Sequence, residues 1–89
     1  MTLPEAIEAR LRERFQIAEL SLRDDSAAHR GHAGAASGGG HFELLIVSAD
    51  FAGKTRVSRH RLVYDALSEW IPAQIHALSI DARTPSEFV

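Results

Sequence analysis

Residues 42–48 read Phe-Glu-Leu-Leu-Ile-Val-Ser, and this stretch decides the fold. Phe42, Leu44 and Ile46 fall on one parity and Leu45 and Val47 on the other, so a strand here is apolar on both faces. Such a strand belongs in the middle of a sheet, with a neighbour on each edge. Upstream, Ala18, Leu20 and Leu22 alternate with Glu19, Ser21 and Arg23, the period of a second strand with one buried face. Downstream, Ile75 to Ile80 makes a third, with His76, Leu78 and Ile80 on one parity.

The connections set the directions of these strands. Residues 25–40, DSAAHRGHAGAASGGG, hold five of the six glycines in the chain and nothing that could pack a core. The segment is expected to be a flexible loop that lets the first two strands pair antiparallel. Loops of this length inside a small domain are usually functional or disordered. Asp50 to Gly53 looks like a turn, and a helix follows from about Arg56 to Trp70, with Val63, Ala66, Leu67 and Trp70 toward the core and Pro72 as its stop. A helix between the second and third strands calls for a parallel crossover.

The two ends of the chain carry helix-start signals. Leu3, Ile7, Leu11 and Phe15 recur every four residues among Glu5, Glu8, Arg12 and Glu13, the pattern of an amphipathic helix. Thr2 and Glu5 fit a capping box, Pro4 suits a first turn, and Glu5 and Glu8 suit the positive end of the helix dipole. Thr84-Pro85-Ser86-Glu87 repeats the signal and leaves room for about one turn. The order is α-β-β-α-β-α: one α/β (α+β) domain over residues 1–89, a three-stranded mixed sheet with helices mainly on one face.

Composition narrows the function classes. Apolar residues are 45% and charged residues 25% of 89 residues, as in an ordinary small globular domain. The chain has no apolar run near the ~20 residues of a membrane span, and its charged N-terminal segment is unlike a secretory signal, so a cytoplasmic protein is expected. It contains no cysteine, which excludes disulfides, cysteine–zinc sites and thiol nucleophiles, yet it carries five histidines. The net charge of −2 and pI of about 6.2 confine any nucleic-acid role to a local patch.

The chain resembles the BolA family. The resemblance rests on Asp24-Asp25-Ser26, His29 with Gly34, His41-Phe42, Val47-Ser48, Phe51-Ala52-Gly53, and above all Arg59-His60-Arg61-Leu62-Val63-Tyr64, Ile75-His76-Ala77-Leu78-Ser79-Ile80 and Thr84-Pro85-Ser86-Glu87. The chain departs from the family pattern at Asp25, at Gly40 and in its glycine-richer loop. The resemblance implies a KH-like α/β fold and a role with monothiol glutaredoxins in iron–sulfur handling, the pair sharing a [2Fe–2S] cluster. It also implies, for some members, DNA-binding transcriptional regulation of stress response and cell morphology. It matches His76 to the family's general cluster ligand and His29 to the second ligand position, with His32, three residues on, as a substitute.

Residue chemistry agrees in part. Imidazole is a common metal ligand, but clusters need thiolates that this chain lacks, so two histidines could complete a cluster only beside sulfur donors from a partner. The plain alternatives are a satisfied histidine at the core edge for His76 and a solvated loop residue for His29. His41, before the central strand, reads as structural or exposed, and His60 as helix-start packing or a partner contact. Lys54, Arg56, Arg59 and Arg61 stand at a helix start with no acid among residues 51–64. That opposes the helix dipole, and it calls either for neighbours such as Asp50 or Asp65 or for an external anion, a partner's acidic surface or DNA. The Gly-x-x-Gly loop of KH domains is absent, since Ala52-Gly53-Lys54-Thr55 has a single glycine. No nucleophile–base pair, paired carboxylates or phosphate loop stands at a catalytic spacing, so no enzyme is expected.

Overall fold

A computed structural model describes residues 1–25 and 40–89. The glycine-rich segment falls outside the described residues from 26 to 39, and with it His29 and His32. The elements run α1 (Leu3–Arg14), β1 (Ile17–Asp24), β2 (Gly40–Ser48), a 3-10 turn (Ala49–Phe51), α2 (Arg56–Ala66), β3 (Ile75–Arg83) and a closing 3-10 turn (Pro85–Glu87). The sheet order is β1-β2-β3, with β1 antiparallel and β3 parallel to β2. The doubly apolar strand is therefore the central one, and the fold is α+β as its pattern predicts. None of the described helices is long and apolar enough to cross a membrane.

Local chemistry starts both ends as expected. The Thr2 hydroxyl accepts from the Glu5 N–H at 3.3 Å, and the Glu5 carboxylate accepts from the Thr2 N–H at 2.9 Å. That reciprocal cap satisfies donors that a helix start leaves open. α1 then buries Ile7 and Leu11 completely, and Phe15 caps its end. These residues share one core with Phe42, Leu44 and Ile46 of β2 and with Val63, Ala66 and Leu67 around α2. Both helices thus cover the same face of the sheet. Full burial of each Ile or Leu contributes about 1.5–3 kcal/mol.

Three local expectations are corrected. In β1, Ile17 pairs with Ser48 and Glu19 with Val47, so Ala18 is an extra, bulged residue. The bulge shifts the parity: Ile17, Leu20 and Leu22 are half-buried and Ala18 is exposed. α2 stops at Ala66, not at Trp70, and the chain reaches β3 through successive turns. Pro72 bars a helix from running on through residue 72, because its ring clashes with the carbonyl four residues back, at Ser68, and its nitrogen cannot bond to it, but it does not by itself set the stop at Ala66. Arg10 secures this turn segment, donating to the Ala66 carbonyl at 2.9 Å, pairing with Glu69, and lying 4.7 Å over the Trp70 ring. The third correction concerns β3. Gly40 pairs with Ile75 and His41 with Ala77, so His76 is itself the extra residue of a bulge. Ile75, not His76, joins Ile80 in the core.

Candidate functional site

The bulge in β3 builds the first site. With Ile75 drawn inward, His76 is turned out to solvent at the end of the sheet. The alternative of a histidine satisfied at the core edge does not hold. The chain just before it is tied to β2, the Gly40 N–H donating to the Gln74 carbonyl at 2.7 Å, and on the other edge of β2 the Asp25 N–H donates to the His41 carbonyl at 2.7 Å. A β-carbon at Gly40 would sit against the Phe42 ring and 3.1 Å from the Gln74 oxygen, so a side chain here would make the Phe42 ring shift. His41, half-buried on β2, stands beside His76 with ring centres 5.4 Å apart and planes 25° from parallel. The five histidines are thus not equivalent. Two of them meet on adjacent strands, a contact that sequence reasoning did not anticipate because the bulge that makes it is invisible in a single strand's pattern. Among the described residues no group of three or more His, Cys, Asp or Glu is placed to hold a metal ion.

The second site is a cleft of about 610 Å³ between the start of α2 and β3. Lys54, Arg56, Arg59 and His60 line it from one side and Ser79 and Asp81 from the other. Thr55 caps α2, its hydroxyl accepting from the Ser58 N–H at 3.1 Å. Gly53, at φ of +74°, makes the turn into this cap, a conformation that costs a side-chain-bearing residue about 1–2 kcal/mol.

The basic residues divide into two kinds. Arg59, with only 13% of its side chain exposed, is fully engaged. It donates to the Lys54 carbonyl at 3.0 Å, to the Ala82 carbonyl at 3.0 Å, and to both oxygens of Glu87 at 2.7 and 3.3 Å. It is a staple joining α2, β3 and the closing turn. Lys54, Arg56 and Arg61 are exposed and make no ion pair among the described residues, and His60 is half-buried. Asp50 makes no ion pair with them among the described residues, and its carboxylate accepts from the Gln16 N–H at 2.9 Å.

The staple sets an acid response. Arg59, and then the Thr84 N–H at 2.8 Å, hold the Glu87 carboxyl well below its ordinary 4.5, at about 2. A carboxylate with a lowered folded-state pKa stabilises the fold fully above its unfolded value and loses that contribution as the pH falls toward the folded one. The difference in Tm between the parent and Glu87→Gln is therefore expected to persist above pH 4.5 and to vanish as the pH approaches 2. The Glu87 carboxyl carbon, followed by NMR, reads the midpoint directly, and titration near 4.5 would refute the staple.

Comparison with known proteins adds relatives to this geometry. The family model described as BolA-like protein matches residues 11–87. The chain is 43% identical over 86 residues to SufE-like protein 1, chloroplastic/mitochondrial, of Arabidopsis thaliana, covering 91% of this chain and 23% of that one. It is 35% identical over 88 residues to the DNA-binding transcriptional regulator BolA of Haemophilus influenzae, covering 99% and 82%. Among solved structures, the BolA domain of SufE1 from Arabidopsis thaliana superposes with a TM-score of 0.82 at 40% identity, covering 98% of each chain. The chain spans between 23% and 58% of the length of several curated relatives that it matches.

Proposed function

Because the chain belongs to the BolA family, we propose that it acts in the cytoplasm as a non-catalytic accessory protein that docks a monothiol glutaredoxin and contributes His76 as one ligand of a [2Fe–2S] cluster shared between the two proteins. The observation that carries this is the placement of His76, an exposed imidazole on a bulge, with the chain just before it held by the 2.7 Å hydrogen bond from the Gly40 N–H to the Gln74 carbonyl. A ligand presented from a strand is pre-oriented in a way that a loop residue is not. The donor set fits a shared cluster and not a resident one, since the chain offers imidazole and no thiolate. His29, or His32 in its place, supplies the second ligand in this reading; both lie outside the described residues. A mixed thiolate and imidazole set raises a two-iron cluster's potential relative to an all-thiolate one. The test is to mix the apo chain with cluster-loaded monothiol glutaredoxin and record visible circular dichroism. A new spectrum at one-to-one stoichiometry is expected, and a spectrum equal to the glutaredoxin's own rejects the proposal.

A second reading, DNA-binding transcriptional regulation, is favoured by one observation: Lys54 and Arg56, which line the cleft, and Arg61 are exposed and make no ion pair among the described residues, and some relatives carry that activity in their names. Phosphate contacts by these three cations predict a slope of log K against log salt of about −2 to −3. Removing one of them should flatten it by about 1. A flat salt dependence removes this reading. Arg59 is left intact in the test, because its loss loosens the closing turn whatever the chain binds.

A further inference from the structure

We propose that this chain pairs with a second copy of itself along the outer edge of β1, the two β1 strands running antiparallel about a twofold axis at Ser21, so that two sheets join into one. This goes beyond the shared-cluster reading, because it assigns a role to the sheet edge opposite β3 and involves no metal.

The two outer edges of the sheet differ. On β3, the Leu78 carbonyl accepts from the Tyr64 hydroxyl at 3.3 Å and the Ala82 carbonyl accepts from Arg59 at 3.0 Å. Side chains of α2 thus occupy the outward carbonyls on either side of Ile80 and close that edge to another strand, one of the ways in which proteins guard an edge. On β1, the Asp25 N–H donates to the His41 carbonyl, and amide direction alternates along a strand. Glu19, Ser21 and Arg23 therefore bond to β2, and Leu20 and Leu22 turn their N–H and C=O groups outward. Among the described residues no side chain bonds to these outward groups.

This edge is complementary to itself. With the axis at Ser21, Leu20 of one copy meets Leu22 of the other in pairs that exchange both hydrogen bonds, and Glu19 meets Arg23 in the closer, non-bonded pairs. Symmetry makes each of these contacts twice. Glu19 is exposed and makes no ion pair among the described residues. Arg23 pairs with Glu43, yet its side chain is 66% exposed and a guanidinium has donors for a second carboxylate. Leu20 and Leu22 are half-buried at the margin of the core, so a second copy also covers apolar surface.

The neighbouring registers are poorer. An axis at Leu22 sets Leu20 against Asp24, one at Arg23 sets that cation against itself, and one at Leu20 runs into the bulge at Ala18. β1 and β3 are opposite edges, so the contact leaves His76 of each copy open.

Sedimentation equilibrium of the full chain from about 0.01 to about 1 mM, a range suited to so short an interface, reads the association. The average mass is expected to climb from 9.8 kDa toward twice that value. Over the same range hydrogen exchange at the Leu20 and Leu22 amides is expected to slow in step with the mass, while Ser21 and Arg23, already bonded to β2, change little. Glu19→Arg, which sets like charges opposite each other twice over, is expected to weaken association about tenfold, and adding Arg23→Glu to restore it to within about threefold. A mass fixed at 9.8 kDa, a dimer whose Leu20 and Leu22 amides still exchange freely, or a folded double variant that stays monomeric overturns the proposal. Should either variant fail to fold, the parent's exchange pattern decides alone. No glutaredoxin enters these assays, so their failure leaves the shared-cluster reading standing.

Discussion

Replacing His76 by alanine is expected to abolish the change in visible circular dichroism that the parent chain produces on mixing with cluster-loaded monothiol glutaredoxin, while leaving the far-UV spectrum and Tm where they were. The two halves of this expectation have separate causes. Partners in the outer shell of a metal already change affinity ~10–100-fold when removed, and loss of a direct ligand is larger still. The fold, by contrast, barely depends on His76, because the ring is exposed and Ile75 occupies the neighbouring place in the core. Substitutions at such surface positions usually stay within about 0.5 kcal/mol. A His76→Ala chain that still alters the glutaredoxin spectrum would show that this imidazole is not a ligand. A chain that unfolds would show that the bulge is structural.

Phe51→Ala is expected to lower the stability by about 3–5 kcal/mol, which for a domain of this size is a large share of the ~5–15 kcal/mol available. Phe51 is wholly buried at the end of the first 3-10 turn, and its ring centre lies 5.3 Å from that of Phe15 at an angle of 44°. Truncation thus removes both burial and an aromatic pair worth another ~0.5–1.5 kcal/mol. The turn holds the ring in place: the Ser48 hydroxyl, itself buried, accepts from the Asp50 N–H at 3.1 Å, and Asp50 in turn binds the Gln16 N–H. Urea unfolding measures the loss, with Val57→Ala, at a position 59% exposed on α2, as the control that should move little. A loss below about 1 kcal/mol would mean that the cavity collapses, or that the turn is not anchored as described.

Phe51 also illustrates what a sequence conceals. Asp50 to Gly53 reads as a turn from its residue types, and it is one, with Gly53 at positive φ. Nothing in that local pattern says that the turn carries one of the largest buried side chains in the core. Arg59 is a similar case. Its neighbours in the sequence make it one of a run of cations, whereas its bonds to Ala82 and Glu87 set it apart from Lys54, Arg56 and Arg61. The one usable hint was the Thr84–Glu87 signal, since a carboxylate committed to a turn can also receive a guanidinium.

What the residues determined by themselves was everything governed by chemistry within about four positions. This includes the capping box at Thr2 and Glu5, the buried stripe of α1, the start of α2, and the doubly apolar run that made β2 the central strand. The tertiary structure alone decided which residues became extra. Ala18 and His76 bulge because the strands must keep Ile17 and Ile75 against the core while matching β2, and that match is negotiated between segments far apart in the chain. An alternating pattern carries no record of such a slip, so the meeting of His41 with an outward-facing His76 belongs to packing across the sheet and could not be read along any one strand.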